Sequence, residues 1–255
     1  LREQLSGDAE TSDEQVAAMA IKINQIMNKA GSLLLNPPIS LSETSLAVKN
    51  TSNTTNATFA VFLSGMVCMT VLFLLNGLAV DFFREKEGFT LFRILVTPAG
   101  RLGYFFAKFI YLASTALLSF VLVWILGFTI WDIPLGLEQI LPFLFYAILF
   151  VLASTAVIVF LYSLLKTRGQ ASAATPAIII VLSIVGGGMV PLDALPGFMK
   201  QFAFISPVYW GADGLQELIV LQQPLSTLQT HMMVLLLITF CFAAFALLLQ
   251  RRQMI

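Results

Sequence analysis

Five stretches of the chain are nearly free of formal charge: roughly 57–80, 106–130, 140–163, 173–192 and 230–249. Each is close to the ~20 residues that carry a helix across the hydrocarbon core of a bilayer. Lipid offers no partners to backbone N–H and C=O groups, so each stretch is predicted to be a helix that satisfies its own backbone. Lys108 stands at the entry of the second. The first 56 residues differ in pattern. Val16, Met19, Ala20, Ile23, Ile26, Met27, Ala30, Leu33 and Leu34 recur at helical spacing, and Asn36-Pro37-Pro38 stops that helix. A Ser/Thr/Asn-rich linker follows, with N-x-S/T triplets at Asn50, Asn53 and Asn56. The expected architecture is an all-α polytopic membrane protein with five transmembrane helices.

Composition agrees: 58% of the 255 residues are hydrophobic and 11% charged, against about 25% charged in an ordinary soluble domain. Mean hydropathy is +0.89. Net charge is zero, so no basic excess points to nucleic acid. Cys68 and Cys241 lie in separate apolar runs and suggest neither a metal site nor a disulfide framework. The single histidine, His231, reads as a polar residue at a span boundary.

Lys and Arg fix the expected orientation. Arg84, Lys86, Arg93, Arg101, Lys108, Lys166, Arg168, Arg251 and Arg252 fall on one side, whereas the opposite loops, 131–139 and 193–229, hold only Lys200. Basic residues concentrate in cytoplasmic loops, which puts 81–105, 164–172 and the C-terminus in the cytoplasm and residues 1–56 outside. Residues 1–35 hold no signal-peptide core. An external N-terminal region therefore implies a further span upstream, making six.

The segment 81-DFFREKEGFTLFRILVTPAGRLGYFFAKF-109 is too long for a turn. Charges mixed with Phe82, Phe83, Phe89, Phe92, Ile94 and Leu95 suit a helix over 81–95 lying along the membrane surface, broken before Pro98. Composition alone favours an interfacial elbow. The order of residues changes that. Glu85, Glu87, Thr90, Leu91, Arg93, Leu95, Thr97, Pro98 and Lys108 resemble the cytoplasmic signature of type 2 ATP-binding-cassette (ABC) exporter permeases, E-x-E-x-G-T-L-x-R-L-L-x-T-P with a later G-K pair. Phe89 stands where that pattern has glycine, with Gly88 one place early, and Ala107 replaces the glycine before the lysine. A second likeness lies at 186–218, where Gly187, Gly188, Pro191, Leu195, Pro196, Pro207, Trp210 and Asp213 resemble the family's external Gly- and Pro-bearing turn, short amphipathic helix and final interfacial helix. The likeness covers about 57–255. Residues 1–56 are then the end of an extracytoplasmic domain plus linker, as in members with a large domain between the first two spans.

The resemblance implies a permease subunit in a bacterial inner membrane that exports an amphiphilic or hydrophobic cargo: a drug, a peptide antibiotic or a lipid-linked molecule. Its partners would be an ABC ATPase subunit, a second permease (an identical or similar chain) and the bilayer. Glu85, Glu87, Phe89, Leu91, Phe92, Arg93 and Leu95 would couple to the ATPase, which would hold ATP and magnesium. Gly187, Gly188, Pro191, Pro196, Pro207 and Trp210 would form an external gate. The chain has no G-x-x-x-x-G-K-[ST] loop, and Gly186–Gly188 lacks the following lysine, so no cofactor or catalytic residue is expected on it. A sodium-exporting relative is the alternative. An ion-coupled transporter or intramembrane enzyme is less favoured, because the span centres carry no ionisable residue. Their mild polar groups, such as Ser64, Asn76, Ser114, Thr115, Ser119, Ser154, Thr155 and Ser183, read as helix-to-helix glue.

Overall fold

A computed structural model of the chain describes residues 53–89, 93, 100–130, 136–189 and 197–253. The helix expected over 16–34 and the linker ahead of residue 53 lie outside the described residues. So do Leu91, Phe92, Leu95, Pro191 and Pro196.

Among the described residues, eight α-helices follow in order: α1 (Asn53–Ala79), α2 (Asp81–Glu87), α3 (Gly100–Ile130), α4 (Ile140–Leu164), α5 (Arg168–Val185), α6 (Gly197–Ala203), α7 (Pro207–Ile219) and α8 (Gln229–Gln253). No strand occurs among the described residues. Among the described residues, five helical stretches are long and apolar enough to cross a membrane: Phe59–Glu87, Leu102–Ile130, Ile140–Leu164, Arg168–Val185 and Gln229–Leu249. The chain is an all-α, multi-pass membrane protein.

The fourth span departs from its expected limits of 173–192. It begins at Arg168, where Thr167 caps the helix by accepting from the Gln170 N–H, and it ends at Val185, where Gly186 takes over. Its 18 residues rise about 27 Å, barely the hydrocarbon thickness. Polar Gln170 and Ser172 therefore serve as its first turn, and the glycines end it.

α4 is the hub. It packs against α1, α3, α7 and α8, and 67% of its apolar stretch is buried, against 11% for α8. Phe120, Trp124 and Phe128 of α3 close on Phe143 of α4 with ring centroids 5.6–5.9 Å apart. Tyr162 of α4 donates to the Asn76 carbonyl of α1 at 2.8 Å. The outer faces are apolar too: Phe106, Ile110, Leu118 and Leu122 of α3 and Met233, Leu237, Phe240 and Leu248 of α8 are exposed. Such faces suit a lipid solvent, whereas soluble monomers rarely carry apolar patches this large.

Most of the mild polar groups do not join helices. Ser64, Thr155 and Thr115 each donate to the carbonyl four residues back in their own helix, and Ser114 to the one three back. Back-bonding satisfies a hydroxyl within its own turn, so the expected glue role falls to Asn76 and Tyr162.

Candidate functional site

The two candidate segments lie at opposite ends of the spans, because the odd number of crossings between residue 87 and residue 186 carries the chain from one end to the other.

At the basic-rich end, α2 continues the line of α1. Val80 keeps right-handed helical angles, and the Phe83 and Arg84 N–H groups both reach its carbonyl. The helix stops at Glu87. Gly88 returns its N–H to the Arg84 carbonyl, and Phe89 turns to φ +56°. The single surface helix expected over 81–95 is thus corrected: residues 81–87 extend the first span, and a left-handed turn at 88–89 interrupts the run. Phe89 adopts the conformation that glycine favours, at the position where the resembled signature carries glycine. A non-glycine residue there costs about 1–2 kcal/mol. Arg93, beyond the turn, is helical and exposed.

α2 is fastened on two sides. Phe83 is buried in the core and packs on the Tyr162 ring of α4 at 5.8 Å. Phe82 meets Tyr104 of α3 edge-on at 6.3 Å. Glu85 is the central fixture. One carboxylate oxygen pairs with the Lys108 ammonium and the other accepts from the Tyr104 hydroxyl at 2.7 Å. The Lys108 ammonium also lies 5.6 Å from the Tyr111 ring centroid, within cation–π range. Glu85 therefore turns inward to α3, in place of the expected outward contact. Glu87, Arg84, Lys86 and Phe89 remain exposed, Phe89 at 72%. Sequence reasoning missed the pairing of Glu85 with Lys108. The signal was available: both belong to one motif, and an apolar span that opens on a lysine calls for a counter-charge.

At the other end, Gly186, Gly187 and Gly188 close α5 by donating to the carbonyls of Leu182, Ile184 and Ser183. Gly187 sits at φ +78°. A Cβ on Gly65 of α1 would meet the Gly187 and Gly188 carbonyls at 2.9 Å, so the glycines let α1 pass against this turn. After α6, Ser206 caps α7 at 3.2 Å from the Val208 N–H, with Pro207 in the first helical position. The same Ser206 hydroxyl donates to the Leu182 carbonyl at 2.7 Å, which ties α7 to the end of α5. Trp210 donates its indole N–H to the Phe204 carbonyl at 2.9 Å, and its own carbonyl accepts from Tyr146 of α4. Gly211 and Gly214 press α7 against Phe150 and Tyr146 so closely that a Cβ at either would overlap those rings. The structure thus gathers Gly187, Gly188, Pro207 and Trp210 around one turn.

His231 is not a lone boundary residue. Its Nε2 lies 3.0 Å from Asp213 Oδ2, with Glu217 one turn further along α7. Burial and the carboxylates of Asp213 and Glu217 push the Tyr209 phenol above its ordinary value. Neither this cluster nor the double role of Ser206 was foreseen.

A family of proteins described as ABC-2 family transporter proteins matches residues 6–248. That match reaches well upstream of residue 57, where the recognisable motifs begin. Among curated proteins none matches the chain. Matched over nearly its whole length, the chain belongs to the ABC-2 family of transporter proteins, as the membrane-embedded permease that works with an ABC ATPase.

Proposed function

We propose that this permease exports an amphiphilic or hydrophobic cargo and that the region 81–95 receives the ATPase stroke. The observation that carries this reading is the fastening of α2. It continues the first span, is pinned to α3 through Glu85, Lys108 and Tyr104, and to α4 through Phe83 and Tyr162. A push on the turn at 88–89 is then delivered to three spans at once. Glu87, Phe89 and Arg93, together with Leu91, Phe92 and Leu95, supply the docking surface. This is helix-in-groove recognition with apolar anchors. Nine basic residues in one set of loops and the C-terminal tail, against Lys200 alone in the loops 131–139 and 193–229, support a cytoplasmic location for this end and an external one for the glycine turn; residues 1–56, one crossing before residue 81, then lie outside as well. The turn at 186–188 with Pro207 and Trp210 acts as the outer gate. The exposed Phe62 and Met66 of α1, with the exposed Met189 beside the turn, support pairing with a second permease. ATP and magnesium sit on the ATPase.

The absence of carboxylates from the span centres favours amphiphilic cargo over sodium. Burying a Phe or Leu anchor is worth roughly 1.5–3 kcal/mol, so losing one weakens docking by about 10- to 100-fold. Phe89→Ala and Leu95→Ala are expected to release the ATPase, or to leave hydrolysis unstimulated by cargo, while the spans still insert. Co-purification of the ATPase with both variants, together with normal export in proteoliposomes, refutes the coupling assignment.

A further inference from the structure

Asp213 and Glu217 lie one turn apart on the same face of α7, and His231 projects toward them from the first turn of α8. One ligating atom from each residue falls within 4.8 Å of the others, and all three side chains are half-buried. Two features of this cluster have no explanation among the described residues. The first is charge. Carboxylates four residues apart on a helix repel, yet no Lys or Arg occurs between Lys200 and Arg251. α1 and α4, which pack on α7, contain no charged residue at all. Among the described residues the only basic group against the pair is the His231 imidazole. The second is hydrogen bonding. Asp213 holds His231 Nε2 at 3.0 Å, but the Glu217 carboxylate, whose oxygen lies within 4.8 Å of both, has no hydrogen-bond partner among the described residues. The Trp210 ring stands edge-on to the imidazole at 5.2 Å and holds its plane beside the carboxylates.

We infer that Asp213, Glu217 and His231 form a binding site for a divalent transition cation of the zinc class, which clamps α7 to the start of α8. The donor set decides the class. One imidazole and two carboxylates suit zinc or a neighbouring first-row ion, whereas magnesium and calcium prefer oxygen ligands alone. Ligands about 2.0–2.2 Å from a tetrahedral zinc lie roughly 3.3–3.6 Å from one another. The His231–Asp213 pair is already near that spacing, and rotation of the unpartnered Glu217 side chain brings in the third. The fourth position is left to water. Binding displaces the proton-sharing contact between His231 and Asp213, neutralises the facing carboxylates and fixes the 220–228 connection between the two helices. The site is independent of the cargo and of ATPase docking.

The test uses the full chain in lipid nanodiscs, freed of any affinity tag, stripped with chelator and titrated with zinc chloride in excess magnesium. The expected result is one zinc per chain at micromolar affinity, with a melting temperature raised by about 5 °C or more at a hundredfold excess over Kd. Cobalt substituted for zinc should give the visible bands of a four-coordinate site. Glu217→Gln and His231→Gln should each lower affinity at least tenfold. Because the Glu217 carboxylate makes no hydrogen bond among the described residues and loss of its charge relieves the repulsion with Asp213, Glu217→Gln should keep or raise the apo melting temperature, so its loss of binding cannot be attributed to misfolding. Zinc uptake by Glu217→Gln equal to that of the unmodified chain, or no saturable uptake by the unmodified chain, overturns the assignment.

Discussion

Replacing Glu85 or Lys108 separates a fastening role from a docking role. The two side chains are 24% and 17% exposed, between the surface regime, where a pair is worth about 0.2–1 kcal/mol, and the buried regime, where breaking one costs about 3–5 kcal/mol. A loss of about 2 kcal/mol for Lys108→Gln follows. Glu85→Gln removes the same pair and also weakens the Tyr104 bond from charge-assisted to neutral, a further ~1 kcal/mol. The double variant leaves no unpaired charge, so it should cost about 3 kcal/mol where additivity would give about 5. That coupling of roughly 2 kcal/mol lies well above the ~0.3–0.5 kcal/mol scatter of independent sites. The assay is a double-mutant cycle on reversible denaturation in nanodiscs, run beside cargo-stimulated ATPase activity of the assembled transporter. Each single variant should keep the ATPase bound yet lower stimulation, because a loosened α2 absorbs the stroke. Additive losses within 0.5 kcal/mol, or release of the ATPase by Glu85→Gln alone, would refute the inward role.

Three further outcomes follow from local geometry. Ser206→Ala loses a helix cap worth ~1 kcal/mol and one of the two donors to the Leu182 carbonyl, which keeps the Gly186 N–H, a further ~1 kcal/mol. Thermal unfolding should reveal about 2 kcal/mol lost, and Ser206→Thr should recover part of it. Gly214→Ala places a methyl inside the Tyr146 ring, so α7 must lift from α4 at more than the usual ~1–3 kcal/mol of overpacking. A variant that expresses at normal yield with an unchanged melting temperature would contradict the packing. Phe89→Gly relieves the left-handed strain at φ +56° and should leave the melting temperature level or higher while still weakening ATPase docking, whereas Phe89→Ala keeps the strain. A fall in stability for Phe89→Gly beyond that for Phe89→Ala would show that the turn is not strained.

The spans were legible because lipid imposes the simplest of sequence rules: about 20 apolar residues and an internally bonded backbone. Their ends were less so. α3 begins at Gly100, six residues before the apolar run that was expected to open it. Its first turns carry Tyr104 and Lys108, and both bind Glu85 from a different helix. Periodicity cannot register such a partner. The same holds for Ser206, which resembles an ordinary helix cap until the Leu182 carbonyl arrives from 24 positions away. Hydroxyls inside the spans misled in the opposite direction, since a serine facing its own preceding turn looks identical in sequence to one facing a neighbour.

A linear signature also merges two kinds of residue that a fold must separate. A segment that transmits force needs side chains that face the moving partner and side chains that hold it to the spans, and both are constrained within the same dozen positions. Residue type does not distinguish them: Glu85 and Glu87 differ only by two places. On a helix, two places is about 200° of rotation, so a helical E-x-E must direct its glutamates to opposite sides. The half-burial of Glu85 beside Phe82 marks the side held to α3, and the exposed Arg84 lies about 160° from Phe82 around the helix, whereas Lys86 and Glu87 are exposed in its last turn. The rotation predicts that Glu87→Gln leaves stability within ~0.5 kcal/mol, as for other exposed substitutions, and acts through ATPase contact alone. Glu85→Gln acts through stability first. If the two variants shift the melting temperature equally, the helical division of labour between them is wrong.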